Sequence, residues 1–119
     1  MVRSGILLGA WLLVGVIAGA PAPVAAESRL VTLDVRNGSL PADRQVIKVQ
    51  QGDEVTLRWT TDAPLTVHLH GYDLERALVP GAPVEMRFPA RATGRFPVER
   101  HGSRGSPDSS LCYLEVYPR

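Results

Sequence analysis

Two histidines two residues apart, in the stretch LTVHLHGYDLE, carry the clearest chemical signal of the chain. His68 and His70 are followed directly by Gly-Tyr-Asp. Imidazole nitrogens are common ligands of Cu(II) and Zn(II), so the pair could bind a divalent metal. The same spacing also arises when two polar side chains line the solvent face of a strand. The pair alone leaves both interpretations open.

A third histidine strengthens the metal interpretation. His101 follows FPVER in the second half of the chain, and with His68 and His70 it completes the set of 3 histidines. If His101 lies beside the strand that carries the other two, three imidazoles could converge on one ion. We therefore predict a histidine-built site for copper, or for a similar divalent metal, at His68, His70 and His101.

The charged neighbours of His101 argue in both directions. Glu99 could add an oxygen ligand, although the alternation of this segment predicts that its side chain faces outward. Arg100 and Arg104 count against a bound cation, because nearby positive charge opposes it. No Ser-His-Asp set, carboxylate pair or glycine-rich phosphate loop is convincing, so we expect that the chain is not an enzyme.

Short strands are the elements that must position these residues. Alternation of apolar and polar residues recurs through the chain, as is typical of half-buried strands. In LTVHLH it puts Leu65, Val67 and Leu69 on one face, and His68 and His70 on the other. Glycine, proline and asparagine punctuate about seven such runs, which predicts an all-β sandwich or small barrel. YDLERAL is the one segment that could form a helical turn or two.

The N-terminal segment resembles a signal peptide. Arg3 is followed by an uncharged apolar run from Gly5 to Ala20, and the segment ends in small residues at Val24-x-Ala26. We predict a signal peptide at residues 1–26 and a single domain at residues 27–119, exported to the periplasm or secreted. No membrane span is expected in the mature chain. An uncleaved N-terminal anchor is the alternative.

Charge and cysteine content narrow the functional classes. Arg3 is the only one of the 13 basic residues in the removed segment, so 12 basic and 12 acidic residues remain. Nucleic acid is therefore not expected as a partner, because phosphate binding needs a basic surplus. Cys112 is the 1 cysteine, so no disulfide within the chain can stabilise this small domain.

The mature sequence resembles a cupredoxin-like domain over essentially its whole length. The resemblance is carried, in order, by Gly52-Asp53-Glu54-Val55, His68, Gly94-x-Phe96 and the closing Tyr-Leu-x-Val-Tyr-Pro. It implies a Greek-key cupredoxin-like β-sandwich in which His68 matches the upstream copper ligand. HLHG is also similar to multicopper oxidases, but one such motif is too few for their copper cluster.

The resemblance fails at the other ligands of a blue-copper site. Such domains carry a cysteine ligand near the position of Arg100 and an axial methionine near that of Ser110. Cys112 falls inside the last strand, where we expect a small buried residue. Without a thiolate in place a type 1 copper centre cannot form. One-electron transfer is therefore not expected.

The sequence thus predicts a small exported protein that binds copper through histidines as a periplasmic carrier or accessory protein. Its expected partners are a metal ion and a periplasmic protein. The alternative is a metal-free interaction or structural module that keeps the sandwich and has lost the site. The two differ in whether His68, His70 and His101 come together.

Overall fold

Eight β-strands form the folded part of the chain, for which a computed structural model describes residue 5 and residues 9–19, 27–101 and 109–119. A short 3₁₀ helix, Ala42–Arg44, precedes the second strand. The strands are β1 Ser28–Val35, β2 Val46–Gln50, β3 Glu54–Thr61, β4 Leu65–Leu69, β5 Leu74–Leu78, β6 Val84–Pro89, β7 Gly94–His101 and β8 Ser109–Tyr117. The predicted all-β class is confirmed.

The strands are divided between two sheets. The smaller sheet has three strands in the order β1-β3-β6, and the larger has five in the order β2-β8-β7-β4-β5. The pairs β1–β3 and β2–β8 are parallel, whereas the pairs that join β4, β5, β7 and β8 are antiparallel. The strand that carries His68 therefore lies between β5 and β7, one position in from the sheet edge.

Alternating apolar side chains from both sheets form the core. Trp59 and Leu57 of β3 are fully buried, and so are Val67 and Leu69 of β4. Val55 of β3 and residues of the remaining strands belong to the same cluster: Leu33, Val35, Ile47, Val49, Leu78, Met86, Phe88, Val98, Leu111, Cys112, Leu114 and Val116. The inward face predicted from alternation for β4 is thereby confirmed.

The segment YDLERAL forms a strand, so the helical turns considered for it are absent. A turn over residues 70–73 reverses the chain, and Leu74–Leu78 then pairs antiparallel with β4. Gly71 and Asp73 hold the turn with φ of 83° and 54°, a region favoured by glycine and tolerated by aspartate. A β-carbon at position 71 would overlap the ring of Phe96. Leu78 is buried, which gives the hairpin an apolar anchor.

The turn between β2 and β3 is held by a buried carboxylate. Asp53 accepts a hydrogen bond of 2.9 Å from the backbone N–H of Gln50, and contacts the guanidinium groups of Arg29 and Arg119. Burial alone would raise the pKa of Asp53. The N–H of Gln50 and the two guanidinium groups outweigh it, so the pKa lies below its usual value. The contact with Arg119 also ties the C-terminus to this turn.

The described part of the N-terminal segment packs on nothing. Residues 9–19 have no regular secondary structure, and Trp11 and Ile17 are more than nine-tenths exposed. Among the residues that the structure describes, no helix is long and apolar enough to cross a membrane. The proposed cleavage region at Val24-x-Ala26 lies outside the described residues, so the signal peptide stays a prediction.

Candidate metal site

Strand β4 directs His68 to the outer face of the five-stranded sheet. Its neighbours Val67 and Leu69 are fully buried, so alternation turns Thr66 and His68 outward. His70 follows the strand as the first residue of the turn, and its backbone N–H donates to the carbonyl of Pro97 at 3.1 Å. This bond extends the pairing of β4 with β7 by one residue and holds the backbone of His70 in place.

The three histidines come together as a row along this face. The ring centroids of His68 and His70 are 4.3 Å apart, with the planes tilted by 35°. The centroids of His68 and His101 are 5.7 Å apart, tilted by 39°. His101 ends β7 and lies opposite Thr66, so His68 occupies the middle of the row. We call His68, His70 and His101 the histidine row.

The histidine row runs along the sheet face, from the beginning of β4 to the turn beyond its end. Because β4 and β7 are antiparallel, His101 lies beside the beginning of β4, and His70 lies beyond its end. Over the described ranges, no group of three or more His, Cys, Asp and Glu side chains is arranged to hold a metal ion. The predicted three-histidine ligand set therefore stays a prediction.

Glu99 joins the row from β7. It lies directly opposite His68 in the continuous register of β4 with β7. One carboxylate oxygen, Oε2, is 2.9 Å from Nε2 of His70. This is an ion-pair distance, but without hydrogen-bond geometry, so the buried Nε2 has no hydrogen-bond partner. Glu99 does face outward as alternation predicts, and the outward side is also the side of the histidines.

Two further carboxylates border His68, and sequence reasoning missed both. Oδ1 of Asp73 is 3.8 Å from Nε2 of His68, although the side chain of Asp73 is fully exposed. Glu75 of β5 lies opposite His68 on the side away from Glu99. Had YDLERAL been interpreted as the second strand of a hairpin, its register would have placed Glu75 beside His68.

The arginine beside His101 is turned away from the row. Arg100 lies opposite Val67, whose side chain is buried, and therefore starts from the reverse face of the sheet. Its Nε donates to Oγ of Ser109 at 2.7 Å. A β-carbon on Gly38 would overlap the Arg100 guanidinium group, which shows how closely the two pack. Arg100 thus opposes a cation less than its sequence position implies, and Arg104 lies outside the described residues.

The single cysteine is separated from the histidines by the sheet. Cys112 of β8 lies opposite Val98 in the core and is 1% exposed, as predicted for a small buried residue. Burial raises the pKa of its thiol to about 12. Ser110, near the position where the resemblance places a methionine, lies opposite Glu99. No single ion could therefore bind both the Cys112 sulfur and the histidine row.

The chemistry of the outer face suits a divalent copper-type ion. Imidazole nitrogen and carboxylate oxygen are donors for Cu(II) and Zn(II). Nε2 of His70 is a buried donor atom without a hydrogen bond, and a metal would satisfy it. The rings of His68 and His70 would have to rotate, because their faces now overlap at 4.3 Å.

Comparison with known proteins identifies the fold. No family model matches the chain, and no curated protein matches it. The blue copper oxidase from Nitrosomonas europaea matches with a TM-score of 0.63 and 21% identity, over 78% of this chain and 40% of that chain. The periplasmic domain of cytochrome oxidase subunit II of Bradyrhizobium japonicum matches with a TM-score of 0.61 and 15% identity, over 81% and 87%.

A copper binding protein solved in its apo form is also similar, with a TM-score of 0.59 and 11% identity over 75% of this chain and 87% of that chain. The present chain therefore spans well under half of the oxidase but most of the two smaller structures. These matches show that it has the cupredoxin-like fold, as its sequence resemblance implied.

Proposed function

We propose that this chain is an exported protein that binds copper, or a similar divalent metal, through His68, His70 and His101. It would act as a periplasmic carrier or accessory protein. The observation that carries the proposal is the histidine row, with ring centroids 4.3 and 5.7 Å apart on one sheet face. The three imidazoles project from adjacent strands on the same sheet face, and their rings would have to rotate to share one ion.

The structural neighbours support a copper-related role. They include a protein named as copper binding, the domain of a cytochrome oxidase subunit and a blue copper oxidase. A blue-copper arrangement does not suit this chain, because the Cys112 sulfur is buried on the other side of the sheet from the histidine row, and Arg100 stands where the cysteine ligand is expected. We therefore place the metal on the outer face, where it can be taken up and released from solvent.

Each member of the histidine row has a separate task in this proposal. His68 holds the centre and can reach a metal shared with either neighbour. His70 supplies the buried Nε2, which makes no hydrogen bond that a metal would have to replace. His101, from the other strand, limits how far β4 and β7 could separate while the ion is bound. Copper would supply the Lewis acidity and the preference for nitrogen donors.

The alternative is a metal-free interaction or structural module. It is favoured by the absence, within the described residues, of any His, Cys, Asp and Glu group arranged for a metal. In that case the 40% exposed His70 side chain and its neighbours would be a polar sheet face. A docked protein would then contact them directly.

Metal content of the exported protein tests the proposal. The full chain is expressed in Gram-negative cells grown with copper and recovered from the periplasm, and its copper is measured by mass spectrometry. We expect about one copper per chain in the parent, and background copper in a variant with alanine at all three histidines. Equal copper in both would favour the metal-free module.

A further inference from the structure

We infer that Glu99 is a fourth ligand of the metal, and that its oxygen makes the site selective for Cu(II) over Cu(I). This inference rests on the proposed function and names the oxidation state that the site would take. It assigns to Glu99 a role that alternation alone did not indicate, since an outward side chain is by default a solvated one.

The distance between Glu99 and His70 is that of two ligands of one ion. Ligand nitrogen and oxygen atoms lie about 2.0 to 2.2 Å from such a metal. Two of them at an angle of roughly 90 to 110° are therefore about 3 Å apart. Oε2 of Glu99 and Nε2 of His70 are 2.9 Å apart. The contact is at an ion-pair distance but lacks hydrogen-bond geometry, so an entering metal would replace an ion pair and not a hydrogen bond.

The backbone holds Glu99 within reach of both His68 and His70. Its Cα pairs with that of His68, while its carboxylate extends along the strand to His70. The side chain is 30% exposed, and that of His68 is 24% exposed. Partial burial lowers the effective dielectric constant, so a negative carboxylate attracts a divalent cation more strongly here than on an open surface.

The ligand types set the preference for oxidation state. Cu(I) favours thiolate and thioether sulfur, whereas carboxylate oxygen suits harder, more highly charged ions. Among the described residues, the sulfur atoms belong to Met86 and Cys112, and both side chains are in the core. With imidazole nitrogen and one carboxylate as donors, the site would bind Cu(II) more tightly than Cu(I).

A pair of isosteric substitutions separates ligation from surface charge. Glu99→Gln removes the charge of the inferred ligand, and Glu75→Gln removes the same charge from the opposite side of His68. Both positions lie directly across from His68, so a purely coulombic effect would be similar in the two variants. Parent and variants are titrated calorimetrically with Cu(II), and Cu(I) affinity is measured by competition with a chromophoric chelator.

We expect Glu99→Gln to weaken Cu(II) binding at least about tenfold, and to change Cu(I) binding by less than about twofold. Glu75→Gln should leave both close to parent values. The electron paramagnetic resonance spectrum of bound Cu(II) should change in Glu99→Gln and not in Glu75→Gln. Equal losses in the two variants, or an equal loss for Cu(I), would overturn the inference. A parent that binds no copper at all would overturn the proposed function with it.

Discussion

The imidazole rings of His68 and His70 lie 4.3 Å apart on the outer face of the five-stranded sheet, with Glu99 of the next strand against the second ring. Two residues with one leucine between them can meet in this way because alternation directs both outward. In the described residues the sulfur of Cys112 and the nitrogens of these rings are on opposite sides of the same sheet. A copper site in this chain must therefore differ from a blue-copper centre.

The central position of His68 predicts an unequal effect of single substitutions. His68→Ala should lower Cu(II) affinity more than His70→Ala or His101→Ala, because the His68 ring has both of the others beside it, at 4.3 and 5.7 Å. Each of the three substitutions should weaken Cu(II) binding at least about tenfold. Thr66→Ala on the same face is the matched control, and should bind as the parent does. Calorimetric titration gives the order, and a His68→Ala variant that binds as tightly as the parent would refute the arrangement.

Copper added to the protein should produce no intense thiolate-to-copper absorption. Cys112 is in the core and burial raises its pKa to about 12, so the thiolate that such a band needs does not form in the folded state. The same thiol should resist alkylation at pH 8 and react once the protein is unfolded. A strong visible band that Cys112→Ser abolishes would show that the last strand has been misinterpreted.

Acid should remove a specific part of the stability through Asp53. The pKa of this carboxyl is lower in the folded state, so its contribution is present above the pKa of the unfolded chain and is lost as pH falls through the folded value. Asp53→Ala also removes the acceptor of the Gln50 N–H. This substitution should lower the free energy of unfolding by about 1 to 3 kcal/mol at pH 7.

Urea denaturation at neutral and acid pH measures this contribution. The difference in free energy of unfolding between the parent and Asp53→Ala should become smaller as the pH falls. Asp43 is at an exposed position in the 3₁₀ helix, so Asp43→Ala should unfold with the same free energy as the parent at either pH. If the difference in free energy of unfolding between the parent and Asp53→Ala stays constant with pH, Asp53 acts through packing and not through its charge.

The turn that presents His70 should depend on Gly71. Alanine at this position must adopt φ near 83° and would overlap the ring of Phe96, so Gly71→Ala should destabilise the fold by more than about 1 kcal/mol. Gly81 has a similar φ of 79° with nothing within 4 Å of a β-carbon, so Gly81→Ala shows the cost of backbone strain alone. The melting temperature of Gly71→Ala should therefore be lower than that of Gly81→Ala. Equal melting temperatures would contradict the predicted overlap with Phe96.

Sequence periodicity was sufficient for the all-β class and for the face on which His68 and His70 lie. The alternation of LTVHLH predicted that His68 turns away from Val67 and Leu69, because side-chain direction in a strand depends only on position. It was not sufficient for β5, since the pattern of YDLERAL is irregular: Leu74 is half-buried, Ala77 exposed and Leu78 buried. Its pairing with β4 is what makes this segment a strand.

The composition of the candidate site depends on register, which the sequence did not reveal. The proximity of Glu99 and Glu75 to His68 follows from how β7 and β5 align with β4. Nothing in the sequence of β7 itself states which of its residues lies opposite His68. For the same reason Arg100, next to His101 in the chain, could not be assigned to the reverse face without the pairing partner Val67.

Calorimetric titration with Cu(II) of the parent and of the variant with alanine at His68, His70 and His101 tests the central claim most directly. Both proteins begin at Glu27, and a circular dichroism spectrum confirms that the variant is folded. The parent should bind Cu(II) at least about a hundredfold more tightly than the variant, and copper should raise its melting temperature. Equal affinity in the two proteins would show that the histidine row is only a polar sheet face, and that the chain is the metal-free module.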